Sequence, residues 1–556
     1  MIGRLFKMAD APKVLVFLGL SQFLTILVVA KSQLGTVYMK NGQASFEPGV
    51  FDKQRGAAVG NFTGTLNVTG WDILKVTAGY GFKGPKLLDQ HVIFASGYLE
   101  GYLTSERIYQ HWQNINSSFL SFNTTRKFVQ NIETFLDSQS KWSREMVERD
   151  AGRTPFWRHV SYVLAQLDGV FAGYNDAAAK LRHVPKLPKF AFEFLNGEGD
   201  FVDIRHAVDK ENRPNFEKMT RKEVQSYVLR NSHCSAMIRA TGAYENIFMS
   251  HSTWFLYSSM MRSYKHYDFN LRDRTAINKQ VSFSSYPGMI ISVDDFYTMS
   301  NGLVMLQTTN NVFNTTLYDH VKPSSILAWQ RVRIANMMAK GGKEWGHYFS
   351  LENSGTYNNQ YMIIDLKKIK LGHEIEDGAL YVVEQIPTLV VYADQTKMLR
   401  NGHWPSYNVP FYESVYNMSG YPNIVALKGL EFSYQMAPRA KIFRRDADKV
   451  ETMDDMMRFM RYNDYHHDPY SENDPCKTIC CRGDLSGDHN SPTMGCFDTK
   501  VTDYNMAWKR QAYAINGPTT GTGLEPFSWR APFMDSHIGM PKTYNFKFVK
   551  MGPRGM

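Results

Sequence analysis

The sequence predicts a mixed fold of α-helices and β-strands, and three observations carry that reading. Apolar residues recur at helical spacing between about 95 and 175. Beyond residue 234, short β-branched and aromatic runs alternate with turn clusters as far as about 392. Between these regions, residues 231–239 and 247–254 carry apolar and β-branched side chains around Thr241-Gly242-Ala243-Tyr244-Glu245-Asn246, which reads as a β-hairpin. The 43% hydrophobic and 21% charged content is that of an ordinary globular protein, and 556 residues can bury a large core.

Taken in order, Arg4, Lys7 and Lys13 precede an apolar run at 14–30 that ends in Val28-Val29-Ala30. This reads as a signal peptide over 1–30, with an uncleaved anchor as the alternative. Residues 36–73 are rich in Gly, Val and Thr and predict short strands at a sheet edge. Gly79-Tyr80-Gly81-Phe82-Lys83-Gly84 mimics a dinucleotide-binding loop, but Pro85 stands where the helix should open, so that reading is rejected. Thr104-Ser105-Glu106-Arg107 can start a helix, Phe128, Ile132, Phe135 and Leu136 mark another, and 156–171 a third. Pro185 and Pro188 break the pattern. The charged stretch 209–233 reads either as a mobile connector or as an exposed helix. Strands are expected at 289–293, 303–308, 361–366 and 380–383, and a helix at 326–339.

The net charge of +10 allows contact with an anionic membrane surface, whereas the absence of a Lys/Arg-rich block argues against nucleic acid as a partner. Asn61, Asn67, Asn116, Asn123, Asn314 and Asn417 each open an Asn-X-Ser/Thr triplet and are candidate glycan carriers. Four of the five cysteines, Cys476, Cys480, Cys481 and Cys496, crowd into 21 residues. Behind a signal peptide they read as two disulfides, with Cys476 and Cys496 each bonded to one of the adjacent pair. The competing reading is a zinc site with His466, His467 and Asp468; the favoured assignment holds no metal and no cofactor. Arg482-Gly483-Asp484 reads as a turn among these disulfides.

Cys234 is then left unpaired, and the hairpin gives it company. A turn near 243 pairs the strands so that 251–254 returns beside Cys234. A thiol, a histidine, a hydroxyl and an indole meet there, which suits nucleophilic catalysis; a small Cys filling a buried strand is the bland alternative. No Gly-X-Ser-X-Gly elbow occurs in the chain, which disfavours a serine lipase.

His233-Cys234-Ser235-Ala236-Met237-Ile238 with His251-Ser252-Thr253-Trp254 resembles the phospholipase B-like family. The resemblance continues through Tyr286-Pro287-Gly288, Asp294-Asp295-Phe296-Tyr297, the segment 353–360, Glu384-Gln385-Ile386-Pro387, Ser406-Tyr407-Asn408, Pro438-Arg439-Ala440 and Gly517-Pro518-Thr519. Ser252 stands where the family often carries Asp. The resemblance implies an αββα sandwich of the N-terminal nucleophile hydrolase type, where the residues alone give only α+β. It also implies a cut between His233 and Cys234, yielding fragments 31–233 and 234–556 that stay associated around one core. Cys234 would then attack an ester or amide of an acyl lipid or acyl-amine, with its own amino group as base. By the same resemblance Asn408 donates to the oxyanion. His251 reads as orienting the new amine, carrying charge for the substrate head group or resting as a satisfied core histidine, Thr253 as a pocket residue that hydrogen-bonds that amine, and Trp254 as shaping the pocket. The setting implied is lysosomal or secreted. A lipid- or glycan-binding glycoprotein that keeps the fold without catalysis is the alternative function.

Overall fold

Two sheets carry the molecule. The computed structural model describes residues 31–553 apart from 82, 85, 121–123, 232–233, 488–492 and 534. The leader at 1–30, the acceptor Asn123 and the upstream cleavage residue His233 lie outside the described residues.

The strands of these two sheets, in chain order, are β1 (Lys31–Lys40), β2 (Gln43–Pro48), β3 (Ala58–Gly64), β4 (Asp72–Ala78), β5 (Ser235–Ala240), β6 (Ile247–Leu256), β7 (Ser263–Phe269), β8 (Gln280–Ser285) and β9 (Tyr297–Met299). They continue as β10 (Leu303–Thr309), β11 (Asn359–Asp365), β12 (Leu380–Ile386), β13 (Leu389–Asp394), β14 (His403–Ser406), β15 (Met494–Asp503), β16 (Ala512–Asn516) and β17 (Val549–Met551). The larger sheet runs β13-β12-β11-β10-β9-β8-β7-β4-β3-β1-β2, and the smaller runs β14-β5-β6-β15-β16-β17. The expected edge strands within 36–73 therefore form one end of the larger sheet. They join the rest of it through the parallel pair β4–β7, in register from Asp72↔Ser263 to Ala78↔Phe269. Strands from both sides of residue 234 thus share one sheet.

The sheets face each other across an apolar layer. Ala236, Ile238, Ile247 and Met249 of the smaller sheet meet Ile73, Tyr264, Val304, Leu306 and Met362 of the larger. The outer face of the larger sheet is covered by α1 (Asp89–Leu103), by α4 (Pro155–Ala178), and by helices at Ala328–Met338 and Gly342–Ser350. Between α1 and α4 lie α2 (Ser105–Ile115) and α3 (Arg126–Asp150). Thr125 and Thr154 cap α3 and α4 with side-chain oxygens, and Pro155 occupies the first turn of α4 where its missing N–H costs nothing. Helices α1 and α4 touch backbone to backbone through Gly97, Gly101, Gly169 and Gly173. A Cβ on Gly97 would stand 2.0 Å from the Gln166 carbonyl oxygen, so only glycine fits there.

Further along are α5 (Lys189–Asn196), α6 (Glu198–Val208) and α7 (Arg221–Asn231). The 209–233 stretch therefore contains a helix, which buries Val224 and Asn231 and exposes Arg221, Lys222, Glu223 and Arg230. Short helices between 413 and 460, among them α8 (Pro438–Asp446), cover the outer face of the smaller sheet through Phe443, Met456 and Met460.

One strand expected from the sequence is absent. Residues 289–293 form bends and turns, and Met289, Ile290, Ile291 and Val293 pack among the helices instead. Asn196 holds this loop, accepting from the Ile290 N–H at 2.9 Å and donating to Gly288 O at 3.0 Å. An unbroken apolar run signals burial and leaves strand and loop undecided.

The cysteines form Cys476–Cys481 and Cys480–Cys496, so their sulfurs are committed to disulfides. Arg482 and Asp484 form a buried ion pair at 2.8 Å within a short 3-10 turn, which conceals the Arg-Gly-Asp tripeptide. Among the acceptor asparagines, Asn67 and Asn417 are exposed, while Asn61, Asn116 and Asn314 are half-buried.

Buried titratable groups set how stability depends on pH. Burial lowers His111, His206 and His266 from 6.5 to about 3, and His159 to about 4. It raises Glu198 from 4.5 to about 8 and Glu384 to about 7. Below 6.5 the unfolded chain binds the histidine protons, so these residues make stability fall as pH drops. The two carboxyls hold protons only in the folded state, and they weaken it as pH rises from about 4.5 toward 8. Between 4.5 and 6.5 the two sets oppose each other; above 6.5 only the carboxyls act. The thermal midpoint is therefore expected to fall between pH 6.5 and 8, and Glu198→Gln should flatten that limb. A midpoint that rises over this range would contradict the assignment.

Candidate functional site

The hairpin forms as its residues dictate. β5 and β6 pair antiparallel with Ser235↔Ser252 and Ala236↔His251, so Cys234 emerges at the head of β5 beside Thr253 and Trp254. Its backbone has φ 88°, in the left-handed region that non-glycine residues seldom occupy. Strain of this kind collects at functional positions. The Cys234 side chain is buried and is the free thiol among the described residues. Burial pushes this thiol well above its ordinary value, against the Trp254 backbone amide and the Lys500 charge, which favour the thiolate.

Strand alternation sends His251 and Thr253 into the space between the sheets and Ser252 and Trp254 to the outer face. Ser252, at the position without a carboxylate, bonds Met460 O and Thr499 Oγ1, each at 2.8 Å. On the adjoining β15, a bulge between Cys496 and Asp498 inserts Phe497. It brings Asp498 opposite Thr253 and Lys500 opposite His251.

A buried cluster of charges results. Lys500 Nζ lies 2.6 Å from Asp294, 2.7 Å from Asp498, 2.6 Å from Thr253 Oγ1 and 3.0 Å from His251 Nδ1. Arg262 approaches Asp294 at 2.9 Å and Asp498 at 3.1 Å, and its guanidinium stacks 3.9 Å from the Tyr286 ring centre. All four charged side chains are fully buried, and two cations balance two carboxylates. Asp498 and Lys500 belong to the smaller sheet, whereas Arg262 and Asp294 belong to the larger side, so the cluster rivets the two sheets beside Cys234. Burial raises Asp294, but Arg262 and Lys500 outweigh it and hold the carboxylate well below its usual range. Burial and then the Lys500 charge hold His251 well below its ordinary value, so the imidazole is neutral. With an ammonium donor at Nδ1, its proton sits on Nε2.

Asn408, two residues past the end of β14, closes the site. Its side-chain nitrogen donates to Thr309 O at 2.6 Å and its oxygen accepts from Arg439 at 2.5 Å. A guanidinium can only donate, which fixes the amide's orientation. Arg439, at the start of α8, also donates to Cys234 O at 2.7 Å, Ser235 Oγ at 3.1 Å and Tyr407 O at 3.0 Å. Its guanidinium lies 4.4 Å over the Trp254 ring. One arginine thus ties Cys234, Asn408 and Trp254 together.

The structure brings Cys234, His251, Thr253, Trp254 and Asn408 into one neighbourhood. Sequence reasoning assigned no role to Lys500, Asp498, Asp294, Arg262 or Arg439. Asp294 and Arg439 lie within quoted motifs, but Lys500 and Asp498 carried no signal.

A buried thiol at a strand head, with amide and aromatic groups around it, is an arrangement compatible with nucleophilic chemistry. The sequence model of the phospholipase B family matches residues 58–551. The chain belongs to the phospholipase B family and is a phospholipase B-like hydrolase. It is 46% identical to phospholipase B-like 1 of Bos taurus over 541 residues, covering 96% of each chain. It is 48% identical to the protein of that name in Rattus norvegicus, over 91% of this chain and 89% of the relative. It is 47% identical to phospholipase B of Crotalus adamanteus, over 93% and 92% respectively.

Proposed function

We propose that the chain is an N-terminal nucleophile hydrolase that cuts itself before Cys234 and then releases acyl groups from lipid esters or amides through a thioester on that residue. The observation that carries this reading is the placement of Cys234: a strained backbone at the head of β5, its thiol buried and its carbonyl gripped by Arg439. In the first reaction the thiol attacks the carbonyl carbon of residue 233, the acyl group moves from nitrogen to sulfur, and water releases it. The freed α-amino group, with an ordinary pKa near 7.7–8.0, then serves as base. Substrate acylates the thiol, Asn408 donates to the oxyanion, and a second water frees the acid. The neutral His251 and the Thr253 hydroxyl, both held by Lys500, position the new amine.

The αββα arrangement of that hydrolase class accommodates the two facing sheets and their outer helices. Because β4 pairs with β7 from Asp72 to Ala78, strands from the two fragments share one sheet and the fragments stay together after the cut. Candidate glycans on Asn61, Asn67, Asn116, Asn314 and Asn417 accord with a lysosomal or secreted protein. The names of the relatives point to phospholipid as the substrate and to work at a lipid surface.

The test is to mix purified protein with a phospholipid and quench in acid. The 234–556 fragment should gain the mass of one fatty acyl group, and hydroxylamine should remove it. Asn408→Ala, studied on pre-cut enzyme, should still fold while losing about 10²–10³ in kcat, about 3–4 kcal/mol of transition-state stabilisation. Full activity in that variant would take Asn408 out of the mechanism.

A further inference from the structure

Two adjoining cavities open where α7 ends, three residues before Cys234. One, of about 230 Å³, is walled by Phe119, Phe128, Phe201, Phe255, Leu256 and Met494. The other, of about 360 Å³, has His206, Asp209, Asn212, Pro214 and Tyr227 on its walls. Phe128, Arg205, Arg230 and Asn231 line both and form the boundary between them. Arg205 donates to Asn231 Oδ1 at 2.5 Å, while its Nε is buried without a hydrogen-bond partner among the described residues.

Arg205 and Arg230 stand in the last turns of α6 and α7, where cations offset the helix dipoles. That role accounts for their charge and leaves the Arg205 Nε without an acceptor. Phe255, in the wall of the apolar chamber, follows Trp254, whose backbone amide bonds the Cys234 sulfur. An apolar chamber that meets a second cavity at a guanidinium complements the shape and charge of a single-chain anionic amphiphile.

We propose that this pair of cavities binds a long-chain fatty carboxylate, its chain among the phenylalanines and its head at Arg205, and so selects acyl-chain length. This rests on the acyl-hydrolase reading above and adds to it the place where the chain lies.

The experiment titrates the mature, cut protein with cis-parinaric acid and follows its fluorescence. Wild-type protein should bind the probe, and laurate should displace it better than the zwitterionic dodecylphosphocholine. Val202→Trp and Leu256→Trp fill the apolar chamber from two separate walls, so one can stand in if the other fails to fold. Each should weaken probe binding by about tenfold or more. Each should also slow hydrolysis of a palmitoyl ester by a similar factor while sparing a butyryl ester. Arg205→Gln should abolish the preference for laurate. Unchanged probe affinity in the folded filled variants, or no binding by wild-type protein, would overturn the proposal. Binding that obeys these substitutions without hydrolysis of either ester would uphold the site and defeat the acyl-hydrolase reading instead.

Discussion

Lys500→Met is expected to destabilise the fold by about 3–5 kcal/mol, the cost of leaving buried charge without its partner. The lysine serves two carboxylates, a hydroxyl and an imidazole, all of them buried. Without it Asp294 and Asp498 share Arg262 alone, and the interior of the site carries a net negative charge. The methionine replaces the stem's packing, so the loss reads electrostatics more than volume. Removing one of the stranded carboxylates should restore part of it. Lys500→Met/Asp498→Asn is therefore expected to be more stable than Lys500→Met, a coupling that additive substitutions would not show. Denaturant midpoints on the four corners of that cycle measure it. Equal midpoints for wild-type protein and Lys500→Met would mean that the cluster contributes nothing to holding the sheets together.

Cys234→Ala should give a single uncut chain and no acyl product. Alanine removes the sulfur required for both the cut and the thioester while leaving a small apolar group in a buried site. Loss of a covalent nucleophile typically lowers turnover by about four orders of magnitude or more. Cys234→Ser tells the two reactions apart, because an alcohol can make the same acyl shift slowly but is a weaker nucleophile toward substrate. Slow appearance of two fragments with very little turnover is the expected pattern. A Cys234→Ala chain that still cuts itself at the same bond would rule out self-cleavage by this thiol. Full turnover in the same variant would place the nucleophile elsewhere.

The hairpin was legible because strand alternation and a six-residue turn leave little choice of register, and that register alone brings His251 and Thr253 beside Cys234. The helix at 105–115 was legible from its start at Thr104-Ser105-Glu106-Arg107, and the apolar run expected as a helix at 326–339 forms one at 328–338 that is buried on every face. Helix α1 begins at Asp89, ahead of the expected 95, because its first turn lacks a capping side chain that would mark it in the sequence. The loop at 289–293 misled because its apolar side chains satisfy helices while Asn196, far away in sequence, ties its backbone. Lys500 was invisible for a different reason. In a one-dimensional reading it is a charge alternating along a strand, which ordinarily means a solvent face. Its burial depends on the bulge at Phe497 and on the carboxylate of Asp294, 206 residues away in sequence. Arg439 appeared only as part of a Pro-Arg-Ala motif, and the role of tying Asn408 to Cys234 exists only once β5, β14 and α8 meet.

The central claim is that a cut before Cys234 creates the catalyst. N-terminal sequencing of the purified mature protein tests it most directly. The account predicts two tightly associated chains, the larger beginning Cys-Ser-Ala-Met-Ile, with acyl hydrolysis appearing in step with that chain during maturation. An active protein whose Cys234 remains inside an uncut chain, or whose larger fragment begins at another residue, would contradict it.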